Sequence, residues 1–501
     1  MSEIRVTYSG LIAFLVALVG IITGTIFVVI VTRRLSPEDF GLWTLIGSLV
    51  SYVTIIEPIL TYWVTRQIAR GESIGKTALA VDGLMAIIGF TIYFILAAYL
   101  SSSLHYDFFV LILASLLIPI SFVNNLLNSI CAGFKPQSIS YGILAFEASK
   151  IPLGIIFVIL IPLGINGAII TTIGAGLAKI IMMFLMSKEK LSGPIIRQSI
   201  RFWFRMSWLT LYMSIHGLVF KLDVLIFSVL MSSLTSLALW GAASSPANFV
   251  AYADRISQGL FPKLLTVRKN KVAEENLKRT MYFAIPILGA VIVFAKPALH
   301  VLNPLYIEGT YVVVVLAIRS LINVITGFYL NLLESYEDVD IDKEASFKLY
   351  VKSKLFLVPT LWLFLSISYV VALAIFLISF HMENMTNSLT VLIWAIILLM
   401  VTIPFMTYGI ITARRKFGIT FPYKDTLKYI CITILVSAVI YLISEKTLTY
   451  EKSIWIFLPE IVPIVAFGGV MYFGITYVLD KSARSLFNSI FKEIFKKEHS
   501  N

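Results

Sequence analysis

The 501 residues of this chain are too apolar for a protein that water surrounds. Hydrophobic residues make up 58% of the sequence, charged residues only 14%, and the mean hydropathy is +0.91. Soluble domains have about 45–50% apolar and about 25% charged residues, so a soluble fold is excluded and an all-α polytopic membrane protein is predicted. The net charge of +12 then belongs to basic cytoplasmic loops, and nucleic acid is not expected as a partner.

Fourteen apolar runs are each long enough for a bilayer crossing, which takes about 20 residues. In chain order the predicted spans are Gly10–Val31, Phe40–Tyr62, Ala78–Leu100, Phe108–Cys131, Ile139–Pro162, Ile165–Met186, Met206–Met231, Ala238–Phe261, Met281–Leu302, Tyr311–Leu333, Leu355–Phe380, Leu389–Ala413, Leu427–Ser444 and Ile454–Leu479. With a cytoplasmic N-terminus, 30 of the 40 Lys and Arg residues fall on inner segments and five on outer ones. Because cytoplasmic loops carry the excess of Lys and Arg, both termini are predicted to be cytoplasmic and the protein is assigned to the cell membrane.

Two segments are predicted to lie at the membrane surface. Arg197, Arg201 and Arg205 recur every four residues with apolar side chains between them, and the C-terminal tail alternates lysines with apolar side chains. Both patterns are typical of basic amphipathic interfacial helices. The predicted organisation is a six-helix lobe (1–190), an interfacial linker helix (191–205), a second six-helix lobe (206–413), two further spans (414–480) and a basic amphipathic tail (481–501).

A weak internal repeat appears at an offset of 197 residues. Leu35–Trp43 aligns with Ser232–Trp240, and the same ungapped offset places Glu57 on Asp254. Transporters are often built from repeated halves. The offset predicts two lobes related by a pseudo-twofold axis along the membrane normal.

Several stretches resemble one family of exporters. RRLSPEDFGLW (Arg33–Trp43) is similar to the first-loop signature of polysaccharide and lipid-linked oligosaccharide flippases of the multidrug/oligosaccharidyl-lipid/polysaccharide (MOP) exporter superfamily. KLDVLI (Lys221–Ile226), LWGAA (Leu239–Ala243) and GLFPKL (Gly259–Leu264) resemble the seventh and eighth helices of that family. The resemblance implies a MATE-like fold with two six-helix lobes around a central cavity. It also implies alternating access and export of a sugar on a polyprenyl phosphate or pyrophosphate.

Charged residues inside the spans give functional evidence that does not depend on the family. Eleven of them are Glu57, Asp82, Glu147, Lys150, Lys179, Lys221, Asp223, Asp254, Arg255, Arg319 and Glu460. Each charge at the bilayer centre costs about 2.5–3.5 kcal/mol, so eleven facing lipid would exceed a typical net stability of about 5–15 kcal/mol. Most must therefore be paired, near an interface, or in contact with water. Asp82 and Glu460 lie within two turns of a helix end and are interpreted as interfacial.

The cations among these residues are suited to a phosphate. Arg255, Lys221 and Arg319 lie on predicted helices eight, seven and ten, and Lys150 and Lys179 add two from the first lobe. Arg offers a planar fork to phosphate oxygens and Lys a mobile point charge, so these five are the predicted substrate site. A structural salt bridge is the alternative for each cation.

The carboxylates allow two roles. Glu57, Asp254 and Asp223 could carry a coupling H⁺ or Na⁺, and Glu147 lies three residues before Lys150 and could simply neutralise it. No metal site and no cofactor other than a coupling ion are expected, since two cysteines and five histidines are too few for a metal cluster.

The leading interpretation is a flippase that moves a lipid-linked oligosaccharide from the cytoplasmic to the outer leaflet, with membrane lipids and glycan-assembly enzymes as partners. One alternative is an ion-coupled multidrug or cation antiporter of the same fold. The other is a membrane-embedded glycan polymerase or transferase, which would need a large outer loop. Because the outer loops are short, no enzyme is expected.

Overall fold

The computed structural model describes residues 19–20, 23–104, 106–256, 270–335, 347–379, 385–451 and 453–485, and these are helical with no β-strand among them. The helices are α1 (23–34), α2 (Pro37–Val53), α3 (Pro58–Ala69), α4 (Gly75–Leu104), α5 (Phe108–Ser115), α6 (Leu117–Phe134), α7 (Gln137–Gly154), α8 (Gly164–Ser187), α9 (Arg197–Met231), α10 (Leu234–Ala247), α11 (Asn270–Val293), α12 (Ala295–Leu302), α13 (Thr310–Ser335), α14 (Phe347–Lys352), α15 (Lys354–Ser379), α16 (Asn387–Phe417), α17 (Tyr423–Thr447) and α18 (Ile454–Leu479). The predicted all-α membrane fold is confirmed.

Twelve of the described helical segments are long and apolar enough to cross a membrane, and each corresponds to one of the fourteen predicted spans. The first predicted span lies largely outside the described residues, which show only α1. The eighth is interrupted: α10 ends at Ala247, one residue after Pro246, and a 3-10 segment follows over Asn248–Ile256. Because proline removes a backbone donor and clashes with the preceding turn, a break at this point has a clear local cause.

Many large apolar side chains lie on the outside of the helices. Ile87, Phe109 and Ile378 are 65%, 65% and 72% exposed, and comparable side chains occur along most of the described spans. Such surfaces would be unstable in water but match the hydrocarbon core of a bilayer. The described helices therefore have the outward-facing apolar surface that a multi-pass membrane protein needs.

The chain divides into two compact units. The first contains residues 1–241 and 362–387, and the second contains 242–361 and 388–501. In the first, α7 packs along α8, and α6 packs against α3, α4 and α8. In the second, α11 packs against α13 and α17, and α17 packs against α18. The division into two six-helix lobes stays a prediction.

The predicted interfacial linker is not a separate helix. Its basic residues form the first turns of α9, a single helix of 35 residues that continues to Met231. Neither glycine nor proline occurs between Arg197 and His216, so nothing interrupts the helix there. Trp203 is fully buried, and its Nε1 donates to Gln67 Oε1 at 2.7 Å. These turns thus pack on α3, and the predicted tail helix lies outside the described residues.

The last two spans are attached to α11 at their predicted cytoplasmic ends. Lys428 Nζ lies 2.5 Å from Asp480 Oδ2, and the Tyr429 hydroxyl donates to the same oxygen at 2.9 Å. Asp425 accepts from Lys278 of α11 at 2.9 Å. Burial acts to raise the pKa of Asp480, but hydrogen bonds from Lys428, Tyr429 and the Ser482 N–H outweigh it and hold the pKa at about 2. The Asp480 carboxylate therefore fastens α18 to α17.

We expect Asp480→Asn to lower the free energy of unfolding by about 2 kcal/mol, because one pKa unit corresponds to about 1.4 kcal/mol. The folded pKa lies below the ordinary value of 3.8. The stabilisation is therefore complete above pH ~4 and disappears as the pH falls towards about 2. Thermal unfolding of the detergent-solubilised proteins would measure this. If the difference in stability between wild type and Asp480→Asn were the same at pH 7 and at pH 2, the ionised Asp480 carboxylate would not be what stabilises the contact between α17 and α18.

The first residues of two helices follow the 197-residue offset. α2 begins at Pro37 and α10 at Leu234, which is the same offset. Each helix then gives way to a 3-10 segment, over Thr54–Ile56 just before Glu57 and over Asn248–Ile256, which contains Asp254. Glu57 therefore lies directly after a 3-10 segment and Asp254 lies within one, and in both cases the segment follows a helix.

Two pairs of residues that are 197 positions apart touch each other. Thr235 Oγ1 donates to Glu38 Oε1 at 3.4 Å, and a Cβ on Gly241 would lie 2.6 Å from Thr44 Oγ1. Equivalent residues of two repeats meet only where a twofold axis passes between them. The first turns of α10 and of α2, which belong to the same unit, thus make the contact that such an axis would produce.

Candidate functional site

The first unit contains a buried ion pair on α7. Lys150 Nζ lies 2.5 Å from Glu147 Oε2 on α7, and both side chains are about nine-tenths buried. Thr23 of α1 donates to the same carboxylate oxygen at 2.5 Å. The rings of Phe146 and Phe27 lie 5.0 and 5.7 Å from the ammonium group. The carboxylate therefore neutralises the lysine and connects α7 to α1.

The helix that carries this pair changes geometry directly beyond it. Pro152 lies inside α7, and a six-residue π-helix follows over Ile155–Leu160. π-helical turns are rare and occur frequently at functional sites. The next helix approaches this segment closely, since a Cβ on Gly167 would lie 2.2 Å from the Phe157 carbonyl oxygen. The ion pair is thus placed beside an irregular segment against which α8 packs tightly.

Lys179 lies where α8 packs against α7. It is a half-buried residue of α8, and its Cγ would be 3.5 Å from a Cβ on Gly142 of α7. Gly142 precedes Lys150 by eight residues, or about 12 Å along the helix. Lys150 instead contacts Phe27 of α1 and Glu147 of its own helix, so the contacts of these two predicted cations differ.

Lys221 and Asp223 are held on α9 by tyrosines of other helices. The Tyr369 hydroxyl of α15 donates to Asp223 Oδ2 at 2.7 Å, and Asp223 is 4% exposed. The Tyr52 hydroxyl of α2 donates to the backbone carbonyl of Lys221, whose side chain is exposed. Asp223 is thus hydrogen-bonded inside the protein, while Lys221 reaches the surface of its helix.

Glu57 lies where the second predicted span is interrupted. It joins the 3-10 turn to α3, directly before Pro58, and it is 5% exposed. Asn125 Nδ2 of α6 donates to its Oε2, whereas its Oε1 has no hydrogen-bond partner. Asp82 of α4 is covered by protein, with 1% exposed and Oδ2 without a hydrogen-bond partner, and its predicted position near a membrane interface stays a prediction. Distance from a helix end indicates depth in the bilayer, but it does not indicate whether a neighbouring helix covers the residue.

The remaining predicted site residues lie in the second unit. Asp254 is half-buried in the 3-10 segment, and Arg319 is half-buried on α13. The backbone of Arg255 belongs to the same 3-10 segment, but its side chain lies outside the described residues. Its predicted encounter with a phosphate, or with Glu57, stays a prediction.

The sequence did not indicate which uncharged residues would hydrogen-bond to the charged ones. These partners are Thr23, Tyr52, Asn125 and Tyr369. A signal existed for one of them, because Asn124, Asn125 and Asn128 crowd three amides into an otherwise apolar span. The tyrosines and the threonine had no comparable signal. Their partners lie between 124 and 169 positions away in sequence.

The second unit contains an apolar cavity of about 230 Å³ among α11, α17 and α18. Its lining is mostly aliphatic and aromatic, and Thr433, Ser437 and Tyr472 supply the few polar atoms. Val465, which also lines it, is 44% exposed. The cavity exceeds the ~150 Å³ that accommodates benzene in an apolar protein interior, so a short length of hydrocarbon chain fits it. Among the described residues, no group of three His, Cys, Asp or Glu side chains could hold a metal ion.

Solved membrane transporters have the same fold. The lipid II flippase MurJ in an inward closed conformation matches with a TM-score of 0.61 and 15% identity over 93% of this chain and 99% of that chain. A multidrug resistance MATE family transporter of the MOP superfamily, in an inward-facing conformation, matches with a TM-score of 0.56 and 13% identity. The match covers 80% of this chain and 96% of that chain. A MATE structure in the straight conformation gives a TM-score of 0.52, with 13% identity over 81% and 96%.

No protein-family model and no curated protein sequence matches the chain. The structural matches confirm the predicted resemblance at the level of the fold: the chain has the fold of a MOP-type membrane transporter. One of the solved structures is that of a lipid II flippase and another is that of a multidrug resistance transporter.

Proposed function

We propose that this protein is a flippase for a polyprenyl-phosphate- or pyrophosphate-linked oligosaccharide, working by alternating access and without enzymatic activity. The observation that carries the proposal is the pair of C-terminal spans and the apolar cavity they form with α11. A substrate with a long hydrocarbon chain needs an apolar surface of this kind for that chain while its polar headgroup crosses the membrane. A small soluble cation needs no such surface. Membrane lipids and the enzymes that assemble the glycan are the partners that this function requires.

The extent of the structural matches supports the same choice. The flippase structure covers 93% of this chain and the MATE transporter 80%, so the flippase accounts for more of the molecule. The predicted site residues favour the flippase as well, since its five cations lie on five different predicted spans. A transporter of organic cations would gain nothing from fixed positive charge near its substrate, whereas a phosphate requires it.

A flipping assay in proteoliposomes tests the proposal. Wild-type protein should move a fluorescent polyprenyl-pyrophosphate-linked oligosaccharide across the bilayer, and a polyprenol without phosphate should not be moved. Arg255→Ala should reduce the rate at least about tenfold, because a hydrogen bond to a charged group contributes about 1.5–3 kcal/mol. Arg255→Lys should restore only part of the rate, since the bidentate geometry is lost.

The same proteoliposomes distinguish the alternative. Uptake of an organic cation driven by an H⁺ or Na⁺ gradient, with no movement of the lipid-linked sugar, would establish the antiporter instead. Full flipping by Arg255→Ala, with wild-type flipping present, would remove Arg255 from the substrate site while leaving the flippase function in place.

The proposed location is the cell membrane with both termini in the cytoplasm. The described spans are those of a multi-pass membrane protein, and the orientation rests on the distribution of Lys and Arg. In a variant without Cys131 and Cys431, a cysteine introduced at Ser2 or Asn501 should react with an impermeant thiol reagent only after the membrane is permeabilised. Labelling of intact cells at either position would contradict the orientation.

A further inference from the structure

The first turns of α9 lie at the level where two neighbouring helices reach the membrane boundary. The Ile196 N–H, directly before α9, donates to Thr77 Oγ1 at 3.0 Å, and Thr77 precedes the third predicted span by one residue. The Trp203 indole donates to Gln67 of α3, five residues after the second predicted span ends at Tyr62. Both partners lie at the predicted cytoplasmic boundary of the bilayer, so α9 begins at the membrane surface.

Close contacts with the start of α4 fix this position. The Thr77 hydroxyl donates to the Pro194 carbonyl oxygen at 3.3 Å, and a Cβ on Gly75 would lie 2.0 Å from the Lys190 carbonyl oxygen. Gly193 has a φ of 123°, which residues with a side chain rarely adopt. The connection from α8 to α9 is therefore packed against α4, and it sets where the first turns of α9 lie.

The two sides of these turns differ in chemistry. Ser199, Trp203 and Thr210 are buried and form the side that packs on protein. Arginines and aromatic residues form the exposed side, here called the arginine–aromatic face: Arg197, Arg201, Phe204, Arg205 and Trp208. With about 100° of rotation per residue, these five occupy about 100° of the helix circumference, opposite the three buried residues. One continuous face thus carries three guanidinium groups and two aromatic rings away from the protein.

The charge of the arginine–aromatic face is not offset by acidic residues of its own helix. The sequence has no Asp or Glu between positions 191 and 220. Of the nearby acids, Glu189 lies 3.6 Å from Lys135, and Glu72 accepts from Gln67. Within the part of the chain that the structure describes, none of the three arginines forms an ion pair. The face therefore presents net positive charge to its surroundings.

Charge and aromatic rings together match the headgroup layer of a bilayer. Phe204 and Trp208 are 49% and 43% exposed, and tryptophan rings are enriched at this level of membrane proteins. Basic clusters next to a membrane helix attract anionic lipids, and Arg205 precedes the span Thr210–Met231 by five residues. An acidic soluble protein would match the charges, but it would approach from the water and not at the level of the rings.

We propose that the arginine–aromatic face binds an anionic phospholipid of the inner leaflet. The arginines bind the phosphate oxygens, and Phe204 and Trp208 contact the glycerol and the upper part of the acyl chains. Because the opposite side of these turns packs on α3, the helix binds the lipid without sinking into the bilayer. The inference goes beyond the proposed transport function, since this lipid is a bound component and not the cargo.

Quenching of tryptophan fluorescence by brominated lipids tests the site. In phosphatidylcholine vesicles that contain the full chain, phosphatidylglycerol brominated near the top of its acyl chains should quench more strongly than phosphatidylcholine brominated at the same position. The chain has eight tryptophans, and only those beside the site should distinguish the two lipids. Trp208→Phe should therefore remove most of the difference. High salt should reduce the difference in wild type, because salt screens exposed charges.

Charge variants identify the residues that bind the lipid. Neutralising one arginine, as in Arg201→Gln, should weaken the preference for phosphatidylglycerol about fivefold, which corresponds to about 1 kcal/mol. The triple variant Arg197→Gln/Arg201→Gln/Arg205→Gln should abolish the preference. The corresponding triple change to lysine should keep most of it, because the positive charges remain.

A matched control removes three charges elsewhere. Arg414, Arg415 and Lys416 are exposed in the last turn of α16. Arg414→Gln/Arg415→Gln/Lys416→Gln lowers the net charge by the same amount and should leave the difference in quenching unchanged.

Three results would overturn the proposal: equal quenching by the two brominated lipids in wild type, an equal loss in the α16 variant, or removal of the difference by millimolar inorganic phosphate, which would indicate a site for a free anion. These measurements contain no transport substrate. A preference for phosphatidylglycerol without flipping would contradict the flippase alone, and flipping without the preference would contradict the lipid site alone.

Discussion

Glu147→Ala should destabilise the protein by about 3–5 kcal/mol, the largest effect expected for a single substitution in the first unit. The variant leaves the Lys150 ammonium about nine-tenths buried with no counter-ion and only the Phe146 and Phe27 rings near it. It also removes the hydrogen bond through which Thr23 attaches α1 to α7. Unfolding in denaturant, followed by tryptophan fluorescence, would measure the loss.

The reciprocal change should cost less. In Lys150→Met the carboxylate keeps the Thr23 hydrogen bond, and a side chain of similar length fills the space beside the aromatic rings. The double variant Glu147→Met/Lys150→Met should recover most of the stability that Glu147→Ala loses, because an apolar pair can replace a buried ion pair with little net cost. If the double variant were as unstable as Glu147→Ala, the pair would be needed for the fold itself.

The double variant also decides between the two roles that the sequence left open for Lys150. A stable but inactive protein in the flipping assay would place Lys150 in the substrate route. A stable and active protein would leave it a structural ion pair. The geometry favours the structural role, since the Lys150 ammonium group already forms an ion pair with the Glu147 carboxylate of its own helix.

Hydropathy and charge predicted the spans because both depend on residues that are close together in sequence. Every one of the twelve described spans corresponds to an apolar run bounded by charged or turn-forming residues. The interruption after α10 and the unbroken start of α9 depend on where proline and glycine fall, which the hydropathy of a run does not indicate.

The sites were less predictable than the spans. The sequence located the charged residues, but it could not show that Asn125 donates to Glu57 or that Tyr369 donates to Asp223, since each contact joins separate helices. Nor could the sequence show that neighbouring helices cover Asp82. A count of positions from a helix end cannot detect that α4 turns this face towards α6 and the end of α2.

Gly41→Ala should separate the first turns of α2 and α10. A Cβ at this position would lie 1.9 Å from the Leu234 carbonyl oxygen and 2.7 Å from its carbon. These are backbone atoms, which cannot turn aside as a flexible side chain can, so one helix must move. Forced repacking of this kind costs about 1–3 kcal/mol, and we expect the upper end here.

Two other glycines provide graded controls. Gly241→Ala would bring its Cβ within 2.6 Å of Thr44 Oγ1, a side-chain atom that can rotate, so a smaller loss is expected. Gly47 also lies on α2 but has nothing within 4 Å of its Cβ position. Gly47→Ala should be neutral or slightly stabilising, because alanine is a better helix former than glycine.

Cross-linking would show whether the helices separate, and not merely whether the protein is less stable. Glu38 and Thr235 contact each other across the proposed axis at 3.4 Å. In a background without native cysteines, Glu38→Cys/Thr235→Cys should be joined efficiently by a short bifunctional thiol reagent. Adding Gly41→Ala should lower the yield, and adding Gly47→Ala should not. If the helices close this contact during transport, Gly41→Ala should also slow flipping in reconstituted vesicles. An unchanged cross-linking yield in Gly41→Ala would show that α10 can tolerate the extra methyl group without moving, and the close approach at Gly41 would then have no part in holding the two repeats together.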